Sequence, residues 1–344
     1  MIARLLNSNE RNSYDRVVKH PLQSWAWGDF KAATGHTVER LGFFEGKKLV
    51  SGVQVIFNRL PGFNYTVGYV PRGIMPDQDQ LESLKSLANK HNAIYIKLEP
   101  NVATKQGSQN SAYEQVITFL KKNGAVRGKA LFTKYTFWID LTPPIDKLFA
   151  SLSNKSRYNT RLATKKGVTI IENTTKEGME QYIRLMEETT KRQQFLNHNG
   201  DYFRTLHKTL GENGMMKIFH AVYEDQVLTS WVTFNFNDRF YYPYGASSNK
   251  NREAMPNNLM MWEMIRYAKS QDCQVFDLWG SLGPEPDKGN PWYGFHRFKE
   301  GYGGDLEEYI GTFDLVYEPQ LYKLFNFADK WRWKLLKFKS QFTK

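Results

Sequence analysis

Two stretches of this 344-residue chain follow one plan, and that repeat constrains the fold more than any other feature. "EGKKLVSGVQVIF" (Glu45 to Phe57) and "EDQVLTSWVTFNF" (Glu224 to Phe236) match at Glu45/Glu224, Leu49/Leu228, Ser51/Ser230, Val53/Val232 and Phe57/Phe236. Each is preceded by an apolar run, "TVERLGFF" or "MKIFHAVY", and followed by an aromatic one, "FNYTVGYV" or "RFYYPYGAS". Alternating apolar runs joined by polar turns read as an antiparallel meander. The same meander occurring twice predicts a duplicated domain.

Helices fill the intervals. "DQDQLESLKSLANKH" and "SAYEQVITFLKKNG" repeat apolar residues every three or four positions, the second closing at Gly124 as a helix C-terminus favours. Between them "AIYIKLEP" reads as a buried strand ending at Glu99-Pro100. Farther on, "IDKLFASLSNKSRYNTRLATKKG", "GMEQYIRLMEETTKRQQF" and "PNNLMMWEMIRYAKSQ" are predicted helices, and "QVFDLWG" a strand entering a glycine-rich loop. Pro143-Pro144 is the predicted boundary, because the residue before a proline is biased out of helix. The expected architecture is α+β: two mixed sheets flanked by helices, in units 1–144 and 145–316.

Composition narrows the function classes. No window approaches 18 consecutive apolar residues and the N-terminus lacks a signal pattern, so a cytoplasmic protein is predicted. A single cysteine, Cys273, permits no internal disulfide framework, and no histidine has a partner at ligand spacing, so no metal is expected. The net charge of +12 favours polyanionic partners. About half of that excess lies beyond Leu321, where Lys323, Lys330, Arg332, Lys334, Lys337, Lys339 and Lys344 face Asp329 alone.

A nucleophile elbow, a P-loop and a dinucleotide fingerprint are all absent, and no cofactor is expected. Arg157, Arg161 and Lys165 recur every four residues, making one helical face cationic; it is either a phosphate-holding surface or a solvated one. The loop "GSLGPEPDKGNPWYG" is expected to shape a pocket rim. Behind it, "FHRFKEGYGG" sets Lys299 among aromatic residues and glycines, where it is either a loop charge or a catalytic cation.

The run "DLWGSLGPEPDKGNPWYGFHRFKEGYGGDLEEYIGTFDLVY", together with "NKSRYNTRLATKKGV" and "QSWAWGDFK", closely resembles the Fem family of peptidoglycan aminoacyltransferases over nearly the whole chain. The resemblance implies two tandem GNAT-like acyltransferase domains, with the segment 317–344 returning to complete the first, in a short form lacking a helical-hairpin insertion. It also implies transfer of an amino acid from aminoacyl-tRNA to the stem-peptide amine of a cell-wall precursor, either UDP-linked or lipid-linked. Phe298 and Lys299 fall on the Phe-Lys pair that the family sets against the reacting carbonyl and the tRNA end. Lys31, Tyr202 and Tyr244 fall on residues that hold the precursor. Arg157, Arg161 and Lys165 become the expected tRNA face. Two positions depart from the pattern: Glu99 stands where a relative has Asp before the proline, and His198 where one has an arginine on the precursor's phosphates. Arg192 is expected to compensate for the second.

An aminoacyl ester is already activated, so the chemistry asks for a positioned amine and a stabilised oxyanion. Lys299 suits the oxyanion, at on the order of a few kcal/mol, with the backbone near Phe298 as a second donor. Glu99 is the expected proton acceptor. Replacing Lys299 by Met is expected to remove transfer and leave the fold intact. Two alternatives stay open: an N-acyltransferase using acyl-coenzyme A, which the missing Arg/Gln-x-x-Gly-x-Gly/Ala string disfavours, and a non-catalytic protein associating with RNA or membrane. For the latter, Leu324, Ala328, Trp331, Leu335, Phe338 and Phe342 form an apolar seam among lysines. The seam is expected to dock on the first domain while the basic remainder touches anionic lipid at the inner membrane face.

Overall fold

In the computed structural model, which describes residues 2–108, 111–193 and 198–327, the repeat becomes two sheets. The strands of the first half are β1 (Ile2–Leu5), β2 (Thr37–Glu45), β3 (Lys48–Arg59), β4 (Thr66–Pro71), β5 (Ala93–Glu99), β6 (Ala103–Lys105), β7 (Ala125–Arg127) and β8 (Tyr135–Asp140). Those of the second are β9 (Thr169–Glu172), β10 (Met216–Tyr223), β11 (Gln226–Phe236), β12 (Arg239–Ser247), β13 (Val275–Asp277), β14 (Asp305–Tyr309) and β15 (Phe313–Val316). One sheet has the order β1-β2-β3-β4-β5-β15-β7 and the other β6-β14-β8-β13-β12-β11-β10-β9.

The meanders are β2-β3-β4 and β10-β11-β12, with Leu41 opposite Val53 and Ile218 opposite Val232. A helix then crosses back, Gln78–Lys90 in one unit and Pro256–Ser270 in the other. Each delivers a parallel strand, β5 beside β4 and β13 beside β12, since parallel neighbours need a crossover that a tight turn cannot provide. The first crossover helix starts in a capping box, in which Asp77 accepts the Gln80 N–H at 2.9 Å and Gln80 accepts the Asp77 N–H at 3.1 Å.

The sheets exchange strands. β8, ahead of Pro143-Pro144, lies in the second sheet between β14 and β13, while β15 enters the first between β5 and β7. β15 is held there by Asp314, which accepts the Lys97 ammonium at 2.7 Å and the Tyr322 hydroxyl at 2.8 Å. Residues 319–327 are helical, and Tyr322 and Phe325 pack on Tyr95 with centroids 5.1 and 5.8 Å away. Leu324, the first residue of the predicted seam, is exposed. Its remaining members, from Ala328 on, and the basic tail lie outside the described residues.

One predicted helix proves to be two. Ile145–Ser151 and Asn154–Lys165 are separated at Leu152-Ser153, because Ser153 is an N-cap whose hydroxyl accepts the Ser156 N–H at 3.2 Å.

The two units share a core. Trp27 and Phe30 on the helix Trp25–Ala33 join Ile56, Tyr182, Phe203, Phe234 and Tyr241 in one buried cluster. Full burial of such a side chain contributes roughly 1.5–3 kcal/mol. Polar ties flank it: Asn237 donates to the Val18 carbonyl at 2.9 Å, and Arg11 to the Asn213 side chain at 2.6 Å.

Candidate active site

β13 ends at Asp277, and the chain then turns sharply. Trp279 has a left-handed φ of 70° and Gly280 a φ of 158°; a Cβ at Gly280 would lie 2.6 Å from the Thr133 hydroxyl oxygen. Trp279 is held by its N–H on Asp277 Oδ1 at 2.7 Å and by ring contacts with His20, Phe132, Phe234 and Tyr241.

Lys299 clamps this turn. It lies on the helix Tyr293–Glu300, an element the glycine and aromatic residues of "YGFHRFKE" conceal. Its side chain is buried, and the ammonium donates to the Leu278 carbonyl and, at 2.6 Å, to the Gly280 carbonyl. The Phe295 ring covers it at 3.7 Å. Burial pushes its pKa well below the ordinary lysine value, against the pull of the Asp277 carboxylate. An ammonium has three donors, and among the described residues two of them go to carbonyls. Phe298 packs edge-on against Tyr302 with centroids 5.2 Å apart. Its own N–H belongs to the helical ladder and offers no free donor. His296, one turn before Lys299, pairs with the Ser281 hydroxyl at 2.8 Å and fixes the helix to the same loop.

The corresponding strand end in the first unit carries Glu99. It stands opposite Pro71 at the end of the parallel pair, as Asp277 stands opposite Tyr241. Glu99 accepts the Leu131 and Phe132 N–H groups at 2.8 and 3.2 Å, the Thr312 hydroxyl at 2.7 Å and the Tyr69 hydroxyl at 2.5 Å. Asp277 accepts the Thr136 hydroxyl at 2.7 Å, the Trp138 indole at 2.9 Å and the Tyr309 hydroxyl at 3.3 Å in addition to Trp279. Both carboxylates are buried, and each accepts four hydrogen bonds. A cavity of about 190 Å³ lined by Glu99, Arg72, Thr312 and Tyr309 adjoins a cleft lined by Asp277, His20, Trp279 and Arg72. Asp277 and Arg72 are site residues that sequence reasoning missed. Asp277 had a signal, an acid closing a buried strand as Glu99 does; Arg72, in "VPRG", reads as an ordinary turn residue.

Lys31, His198, Tyr202 and Tyr244 come together at the seam. The Lys31 ammonium lies 5.1 Å from the Trp27 and Phe30 centroids and 5.5 Å from that of Tyr202. Among the described residues no carboxylate pairs with it, and burial lowers its pKa to about 8. His198 stacks on Tyr202 with centroids 3.6 Å apart, and burial, then the Lys31 charge, lower its pKa; it is neutral at pH 7. The Tyr202 and Tyr244 hydroxyls are 3.0 Å apart. Arg192 is tied elsewhere, to the Ser247 carbonyl at 2.9 Å and the Asn249 side chain at 3.2 Å.

On the helix Asn154–Lys165 the three basic residues differ. Arg157 turns back to the Ala150 and Leu152 carbonyls and the Asn154 side chain. Arg161 lies over Phe149 at 5.1 Å, and both it and Lys165 are exposed.

The two meander-and-crossover units joined through one core give the chain a tandem GNAT-like fold. A tandem GNAT protein from the clavulanic acid biosynthesis pathway superposes with a TM-score of 0.54 and 12% identity, over 92% of this chain and 98% of that one. The crystal structure of FemX superposes with a TM-score of 0.82 and 23% identity, over 94% and 99%. Residues 8–221 and 215–330 match the FemAB family. The chain belongs to the FemAB family and is an aminoacyltransferase. Its relatives include the lipid II:glycine glycyltransferase of Staphylococcus epidermidis, 27% identical over 387 aligned residues, 90% of this chain and 92% of that protein. The Staphylococcus aureus enzyme of the same name is 25% identical, with coverages of 90% and 92%.

Proposed function

We propose that this FemAB member moves an amino acid from aminoacyl-tRNA onto the stem-peptide amine of a peptidoglycan precursor. The observation that carries the reading is the buried Lys299 ammonium at the end of β13, set on the Leu278 and Gly280 carbonyls and covered by the Phe295 ring. Attack of a neutral amine on the ester carbonyl places negative charge on oxygen, and a preorganised cation in a partly dry site stabilises it. The proton the amine loses is balanced by the one the departing ribose hydroxyl gains, so no net base is consumed. Glu99, with four donors already on it, serves this scheme by positioning residues 131 and 132.

The Lys31 ammonium, with no carboxylate partner among the described residues, suits the phosphates of the precursor, with Tyr202 and Tyr244 as hydroxyl partners. Neutral His198 adds stacking and no charge there, and Arg192 would have to leave Ser247 and Asn249 to add its charge to the same phosphates. Exposed Arg161 and Lys165 suit the tRNA backbone. The enzyme works in the cytoplasm, where charged tRNA is found, and its basic C-terminal segment meets anionic lipid when the precursor is lipid-linked. The units are counted as 1–144 with 317–344, and 145–316, as the family resemblance implies, with β6 and β8 of the first pairing into the second sheet and β15 of the second into the first.

The test is to mix purified protein with charged tRNA and, separately, UDP-linked and lipid-linked precursors, and to read product masses. The expected result is one added aminoacyl residue on at least one precursor. Acyl transfer from coenzyme A alone would defeat the reading.

A further inference from the structure

Arg72 is a buried cation held in an unusual backbone, with no counter-ion among the described residues. It follows β4 with a left-handed φ of 46°, a conformation that persists in a non-glycine residue only where its surroundings impose it, and that clusters at functional sites. Those surroundings are specific: the guanidinium lies 3.4 Å from the Tyr309 ring centroid, and Nη2 donates to the Thr133 carbonyl at 3.1 Å. The residue is 8% exposed. A guanidinium has five N–H donors. Among the described residues, Thr133 is the one hydrogen-bond acceptor it reaches and no carboxylate pairs with it. Glu99 and Asp277 line the same space, but each already accepts four hydrogen bonds.

A buried cation left unpaired is costly, and this one faces open space. The adjoining cavity of about 190 Å³ carries Arg127 at its rim, held over Phe313 at 4.3 Å and on the Ile310 carbonyl at 2.6 Å. The volume is below the roughly 300–1,000 Å³ of sites that enclose a drug-sized ligand. A space of that size suits one terminal peptide residue and not a nucleotide. A planar guanidinium fork matches a carboxylate in two parallel hydrogen bonds.

We propose that this cavity binds the C-terminal carboxylate of the acceptor peptide, with Arg72 as its fork and Arg127 at the mouth. The inference rests on the acceptor being a peptide, as read above. Cavity and cleft share Arg72, Phe132 and Tyr309, so the anchored end lies beside the strand end that carries Asp277 and Trp279. The pocket thereby selects acceptors by their free terminus.

Isothermal titration of the full-length protein with N-acetyl-alanyl-alanine, in its D,D and L,L forms, and with the matching C-terminal amides tests this. At least one acid should saturate and bind about tenfold tighter than its amide, a difference that a lost charge-assisted pair produces. Arg72→Lys should erase most of that difference, and Arg127→Gln, at the exposed rim, should reduce it several-fold; thermal melts check that each variant folds. If Arg72→Lys does not fold, the acid–amide comparison and Arg127→Gln decide. Equal binding of acid and amide, an unchanged preference in Arg72→Lys, or displacement of the acid by inorganic phosphate at the same concentration would overturn the proposal. The titration involves no tRNA and no transfer, so its failure leaves the donor and reaction reading to the mass measurement.

Discussion

The two halves of the molecule end their parallel strands in the same way and use the ends differently. β5 closes on Glu99 and β13 on Asp277, each buried and each accepting four hydrogen bonds. At the first end the donors include the Leu131 and Phe132 N–H groups, so the carboxylate orders a connecting segment. At the second end the chain turns through left-handed Trp279 and presents two carbonyls to a buried lysine. The two corners are equivalent in the fold; one braces a connecting segment beside a cavity, and the other seats a buried lysine. A carboxylate at a strand end is therefore a poor sign of a base, and what faces it decides its role.

That contrast can be broken from the first sheet. Lys97→Met strands Asp314 beside Tyr322 in a buried setting and should cost about 3–5 kcal/mol of stability, measured by denaturant unfolding, with transfer per folded molecule unchanged. Loss of transfer beyond loss of fold would make the first sheet part of the chemistry. The two acids sharpen the contrast. Asp277→Asn and Glu99→Gln each leave donors facing an amide and should each cost about 1–3 kcal/mol. Asp277→Asn should also lower the turnover rate, because the Lys299 turn loses its anchor. Glu99→Gln should keep that rate within about threefold; a large drop with a shifted pH profile would restore Glu99 as a base.

A pH series separates the precursor pocket from both strand ends. Lys31, lowered to about 8 by burial, is charged below that pH, so affinity for a diphosphate-bearing precursor should hold up to about pH 8 and decline above it by up to about tenfold per unit. Linkage fixes the sign in stability. Between about 8 and the ordinary 10.5 the unfolded chain keeps a proton that the folded one has released, so this group makes stability rise with pH in that window. Smallest is the RNA face. Arg161→Glu and Lys165→Glu should weaken tRNA binding and reduce the log–log salt slope by about one each, whereas Arg157→Ala should mainly lower the melting temperature, since its guanidinium braces Ala150 and Leu152.

Much of the fold was readable because local pattern and tertiary fate agree in the meanders: "MKIFHAVY" and "RFYYPYGAS" coincide with β10 and β12. Where they diverge, the sequence is silent. The helix carrying Lys299 owes its form to His296 and Lys299 turning inward, not to the propensities of glycine and aromatic residues. The break at Leu152-Ser153 rests on a single cap inside an otherwise periodic run. In the candidate site, Lys31, Tyr244 and the pair His198 and Tyr202 meet from three distant segments. Arg72 could not be found, because its backbone angle, its burial and its missing partner are all products of the tertiary fold. The expectation that Lys299→Met would leave the fold untouched needs amending, since the ammonium clamps the Leu278 and Gly280 carbonyls.

The most direct test is the single-turnover rate of Lys299→Met, measured with saturating charged tRNA and precursor beside a melting curve. The account predicts a folded protein of lower melting temperature whose transfer rate falls by about a hundredfold or more while tRNA and precursor affinities change little. A folded variant transferring at the wild-type rate would contradict it.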